Sequence, residues 1–225
     1  MSDKTTLYWD VDTQYDFMEP QGRLYVPDAR HIIHNISRLR ALALGRKHPL
    51  IASTDWHNKT NAEISQQPDC RQTCPEHCVA GSEGAERVGF WGSVSIDYID
   101  SEVRSHEELQ ALAAKRPLHL VLRKQAIDVF TNPNTRPLLE LLHPDKIVVF
   151  GVALDICVKH TLEGLQEATD AHLILVEDAV RGLGQISRDV VIKNMRENDV
   201  SIRRLNELDK VIAQSHSEIV NLNIQ

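Results

Sequence analysis

Short apolar runs rich in Val, Ile and Leu alternate along the chain with longer stretches whose apolar residues recur at helical spacing. The first run, 5–11, is followed by 30–45, where Ile33, Ile36, Leu39 and Leu42 return every three residues. Runs at 49–54, 118–122, 146–150 and 172–176 read as further strands, and 200–203 as a short last one. Helices are expected at 105–114, 134–142, 156–168 and 186–198. Strands covered on both faces lose the alternation of a half-exposed sheet, which is why these runs look continuously apolar. Repeated βα units of this length predict an α/β fold of three layers, αβα, with a central, mostly parallel sheet. No repeat, low-complexity tract or Gly/Ser linker divides the 225 residues, so a single domain over 1–225 is expected. Segment 58–99 fits no βα unit. It is long and polar and holds three of the four cysteines, so it reads as a functional insertion.

Charge narrows the partners. The chain has 25 basic and 32 acidic residues, a net charge of −7, and so offers no global field for nucleic acid. No apolar run approaches the roughly 20 residues that cross a bilayer, so no membrane partner is expected. The first residues, MSDKTTLYWDVD, lack the basic and apolar regions of a signal peptide, and a cytoplasmic protein is expected. Cys70, Cys74, Cys78 and Cys157 are then better read as metal-binding, catalytic or structural thiols than as disulfides. Oligomeric state stays open, a homo-oligomer included.

In an open parallel sheet, ligands bind beyond the carboxyl ends of the strands. Those ends present Asp12, then Asp55 with His57, then Lys124, and finally Cys157 at the start of a helix. A thiol in the first turn of a helix feels the positive end of the dipole, which would lower its pKa; a buried structural cysteine is the plain alternative. Asp12 is placed to carry a proton to and from such a thiol, and Lys124 to steady a thiolate or an oxyanion. Asp16, four residues beyond Asp12, is expected to organise the loop. Asp55 and His57 stand two apart and can share a metal, with His77 as a third ligand, leaving coordination positions open. Glu63, Asp69, Cys70 or water would complete the set. A competing arrangement makes Cys70, Cys74, Cys78 and His77 a structural zinc site, although the spacing lacks a C-x2-C knuckle.

Five stretches, in order, resemble the isochorismatase-like cysteine hydrolases, and among them the nicotinamidase type. They are Asp12-Thr-Gln14-Tyr-Asp16-Phe17, Ser53-Thr-Asp55-Trp-His57, Pro75-Glu-His77-Cys78-Val-Ala-Gly81, Arg123-Lys124-Gln-Ala-Ile-Asp128 and Gly151-Val-Ala153-Leu-Asp155-Ile-Cys157. The resemblance implies a Cys157–Asp12–Lys124 triad, oxyanion donors in the backbone amides of Ala153 and Cys157, and a cis peptide between Val152 and Ala153. It implies Phe17 in the substrate pocket and one divalent ion, zinc first, with iron and manganese also suited, on Asp55, His57 and His77. The implied substrate is a small amide, nicotinamide, hydrolysed through a thioester. Another amide or ureide hydrolase on the same scaffold and a non-catalytic binding member are the alternatives. Asn58 and Asn61 stand where the family usually has a proline and a second histidine, and Cys74 where an aromatic is common.

Overall fold

The computed structural model describes residues 5–69, 72–90, 92 and 95–208. Among them, one sheet contains β1 (Thr6–Val11), β2 (Leu50–Asp55), β3 (Asp97–Ile99), β4 (His119–Lys124), β5 (Lys146–Val152), β6 (His172–Arg181) and β7 (Ser201–Arg203). The spatial order is β3-β4-β2-β1-β5-β6-β7, and each neighbouring pair runs parallel. The helices are α1 (Tyr15–Met18), α2 (Ile33–Gly45), α3 (His106–Ala113), α4 (Thr135–Leu142), α5 (Cys157–Ala168) and α6 (Arg188–Glu197). None is long and apolar enough to cross a membrane.

Alternation along the strands splits the core into two layers. Leu7, Trp9 and Val11 of β1 face one way, into a cluster with Leu109 of α3, Leu138 of α4, Leu162 of α5 and Val191 of α6. Tyr8 faces the other way, against Phe17 of α1 and Ile36, Leu39 and Ala43 of α2. The three- and four-residue steps of that last set are one helix face. These two clusters make the three-layer αβα architecture that the apolar runs predict.

The differences are local. β3 has only three residues, with just Ile99 buried, so it never made a run long enough to see within 58–99. β6 continues beyond 176 to Arg181 because Val180 and Arg181 pair with Gly151 and Val152 after a register shift in β5. The polar Glu177 and Asp178 had disguised that continuation. Gly151 has a φ of +121°, and any Cβ there would collide with the Val11 carbonyl. Only glycine lets β5 pass this close to the exit of β1, where the site begins.

Candidate active site

Lys124, the last residue of β4, is completely buried. Its Nζ lies 3.0 Å from Asp12 Oδ2, pairs with Asp55 Oδ1, and stands 4.0 Å from Cys157 Sγ. Asp12 follows β1 with a φ of +49°, a left-handed turn that aspartate tolerates better than most residues. Its Oδ1 accepts a 2.7 Å hydrogen bond from Ser53 Oγ. Ser53 and Asp55, two apart on β2, point to the same face, so one strand supplies both the hydroxyl that holds Asp12 and a carboxylate partner of the ammonium. Cys157 opens α5, and the peptide between Val152 and Ala153 is cis.

Burial and charge set the protonation states. Desolvation would strip Lys124 of its proton, but Asp12, Asp55 and Cys157 around it hold its pKa well above the usual lysine value. Burial would raise the Asp55 carboxyl too; the Lys124 ammonium, with the His57 and His77 rings alongside, outweighs it and drives the carboxyl well below the ordinary range. Asp12 goes the other way, raised by burial and by the neighbouring Asp55 charge against the opposing pull of Lys124 and Ser53. The Cys157 thiol is pushed well up by burial, with Asp12 and Asp55 adding to the rise and Lys124 opposing it. The expectation of a helix-lowered thiol is therefore corrected. The helix start is present, but desolvation and three surrounding carboxylates prevail over the dipole.

Beside the ammonium, Asp55, His57, Glu63 and His77 are all buried, with one potential ligand atom from each within 4.8 Å of the others. His77 Nδ1 lies 2.8 Å from the Pro75 carbonyl, a contact that places the proton on Nδ1 and turns the Nε2 lone pair inward. That Nε2 faces Asp55 Oδ2 at 3.2 Å and Glu63 Oε1 at 3.7 Å, while His57 Nε2 is 3.7 Å from Asp55 Oδ2. Ligands about 2.0–2.2 Å from one tetrahedral ion stand roughly 3.3–3.6 Å apart, the scale of these gaps. Both ring nitrogens of His57 and Oε2 of Glu63 are buried without a hydrogen-bond partner. Each such orphan costs roughly 1–3 kcal/mol, which a bound cation would offset. Two imidazoles and two carboxylates are a donor set suited to zinc, iron or manganese.

A family model described as "Isochorismatase domain" matches residues 100–205. The nicotinamidase of Saccharomyces cerevisiae is 26% identical over 214 residues, covering 89% of this chain and 97% of that one. Over these spans the chain is similar to the isochorismatase-like hydrolases. Among solved structures, the pyrazinamidase of Pyrococcus horikoshii in complex with zinc shares the fold with a TM-score of 0.68 at 21% identity, covering 88% of this chain and 98% of that one. N-carbamoylsarcosine amidase from Thermoplasma acidophilum also gives 0.68 at 21% identity, covering 90% and 98%.

Against this isochorismatase-like frame, the structure gathers Asp12, Lys124 and Cys157 around one point and Asp55, His57 and His77 around an adjacent one. Glu63 joins the second group and so stands out among the fourth-ligand candidates. Its position follows from the Cys74 N–H bonding to its carbonyl at 2.7 Å. Asp69 instead accepts from the backbone of Gln72 and Thr73, closing its own turn, and Cys70 lies outside the described residues. Cys74 and Cys78 take no part in the metal-competent group, contrary to the structural-zinc arrangement. The buried Phe17 ring packs 5.3 Å from that of His77, and Ala153 is buried one turn before Cys157. Asp16 accepts from the N–H groups of Cys78 at 2.7 Å and Arg23 at 3.0 Å, the loop-organising place expected for it. Sequence reasoning missed Ser53, which the two-residue period with Asp55 would have shown, and Gln14.

Proposed function

We propose that this protein is an amidohydrolase that converts nicotinamide to nicotinate and ammonia through a thioester on Cys157. The observation that carries the reading is Lys124, one buried ammonium within reach of both Asp12 and Cys157 and paired to the edge of a metal-competent cluster. In this reading the chain is one domain, and 58–99 is the insertion that brings Glu63 and His77 to the site.

With the thiol pKa raised, the resting proton sits on sulfur, so attack needs an acceptor alongside. Asp12 takes that proton, and its carboxyl, raised by burial, holds a proton more readily than a free aspartate would. Sγ bonds to the carboxamide carbon while the carbonyl electron pair moves to oxygen, where the backbone amides of Ala153 and Cys157 receive it. Collapse breaks the C–N bond, and ammonia departs with the proton from Asp12. Water then adds to the thioester, giving its proton to Asp12. The C–S bond breaks, the proton passes from Asp12 to sulfur, and the acid leaves, giving its own proton to solvent as nicotinate. Lys124 opposes the rise and so favours the ionised form of Asp12 between these transfers. Asp55, His57, Glu63 and His77 would hold a divalent ion, which when bound would supply Lewis-acid attraction for the ring nitrogen and so help orient the carboxamide.

A second reading, another amide or ureide substrate, is favoured by Asn58, Asn61 and Cys74 at positions where the nicotinamidase pattern differs. Ammonia release from nicotinamide, benzamide and N-carbamoylsarcosine by zinc-loaded protein separates the two. Nicotinamide is expected to be preferred over benzamide, which lacks the ring nitrogen. Equal turnover of those two, or preference for the ureide, would overturn the first reading.

A further inference from the structure

Beyond Val11, β1 can no longer serve β2 as a neighbour. The two strands pair up to Val11 and Ser53, and the Asp12 N–H still bonds to the Ser53 carbonyl at 3.1 Å. There the chain turns away through the left-handed Asp12, leaving the backbone of Asp55 without a strand on that side. The side chain of Gln14 fills the gap. Its Oε1 accepts from the Asp55 N–H at 2.7 Å, and its Nε2 donates to the Asp55 carbonyl at 2.7 Å and to the Ala85 carbonyl at 3.0 Å. One carboxamide thus imitates a strand neighbour, pairing with both backbone groups of one residue.

The same residue also fixes the other centre. The Gln14 N–H donates to the Asp12 carbonyl at 2.8 Å, and its own carbonyl accepts from Phe17 and Met18 at 3.1 and 2.9 Å. Gln14 is fully buried, so water does not replace these bonds. No other natural side chain of this length offers a donor and an acceptor on one planar end without charge. Asp12 and Asp55 are the two carboxylates that share Lys124, and their separation decides whether one ammonium can serve both.

We infer that Gln14 is a positioning residue that sets the register between the proton carrier Asp12 and the metal-ligand candidate Asp55. The inference rests on the roles proposed above for those two residues. The Gln14 carboxamide bonds to backbone groups of Asp55 and Ala85, so it acts on the site through backbone. Displacing Asp55 loosens the anchor, and displacing Asp12 slows proton transfer, so both KM and kcat respond.

Three full-length proteins test it: wild type, Gln14→Glu and Gln14→Met. The glutamate keeps the acceptor for Asp55 N–H but points an oxygen at two carbonyls; the methionine keeps volume and loses every polar bond. Zinc affinity is measured by chelator competition, kcat and KM for nicotinamide by ammonia release, and folding by circular dichroism and thermal unfolding. Folded variants are expected to bind zinc about 10–100-fold more weakly, the range typical of residues that orient ligands. A higher KM and a lower kcat should accompany that loss. Unchanged zinc affinity and kinetics in either folded variant would overturn the inference, as would failure of both variants to fold, which marks a purely structural role. The wild-type arm reads the proposed function separately. If wild type binds zinc without hydrolysing nicotinamide, that reading fails, while weaker zinc binding by the variants still supports Gln14. A wild type that binds no zinc overturns both.

Discussion

Lys124 Nζ stands 3.0 Å from Asp12 Oδ2, and neither side chain is exposed to solvent. A buried ammonium is costly unless paired, and here its partners are the proposed proton carrier and the edge of the metal cluster. That sharing makes the two carboxylates unequal. Asp55 is held ionised, whereas Asp12 is left with a raised pKa and so is the one able to exchange a proton.

Asp12→Asn keeps the shape and removes the base. Its kcat is expected to fall by at least roughly 10²–10⁴-fold, the usual worth of acid–base catalysis. Asp55 remains to pair with Lys124, so the fold should survive. Steady-state kinetics with a melting curve check this, and a near-normal rate would move the role to another residue.

The thiol makes a pH prediction. With Cys157 raised well above 9.0 in the free protein, its alkylation by iodoacetamide should climb steadily from pH 7 through pH 9. Each unit should give close to a tenfold rise, because the thiolate is the reacting form. A plateau beginning below pH 7 would show a preformed thiolate and remove the need for Asp12 as acceptor.

How much of this was legible beforehand differs by element. The long strands β1, β2, β4 and β5 announced themselves because burial on both faces demands unbroken apolar runs. Their carboxyl ends then located Asp12, Asp55, Lys124 and Cys157. Glu63 could be named only as one of several acids, since the backbone pairing of 63–65 with Cys74 that turns it inward leaves no periodic trace. Gln14 was invisible for a related reason: a glutamine acting on backbone looks like any polar loop residue. The direction of the Cys157 shift was missed because sequence shows where a helix begins but not how completely its first turn is covered.

Away from the site, His119 offers a stability test. Burial, with Arg87 and Arg40 nearby, lowers its pKa from 6.5 to about 3. Between those values the unfolded chain binds a proton that the folded chain refuses, so stability is full above pH 6.5 and declines as pH falls toward 3. His119→Phe should flatten that decline, measured by urea unfolding at pH 7, 6, 5 and 4. An unchanged slope would show that His119 is not its source.

Removal of the metal ligands should separate anchoring from chemistry. The double variant His57→Ala with His77→Ala is expected to lose zinc on metal analysis and to raise the KM for nicotinamide, because two of the four donors are gone. Alkylation of Cys157 should persist, since the thiol's own neighbours, Lys124 and Asp12, remain. Full activity in metal-free protein would contradict the anchoring role.

The central claim is that Cys157 attacks the carboxamide of nicotinamide, and matched release of ammonia and nicotinate by wild type and Cys157→Ala tests it most directly. Wild-type protein should release the two products in equal amounts, and the alanine variant, folded and zinc-loaded, should release neither, because the Cys157 thiol is the nucleophile that stands within 4.0 Å of Lys124 Nζ. Turnover retained in Cys157→Ala, or none in zinc-loaded wild type, would contradict the account.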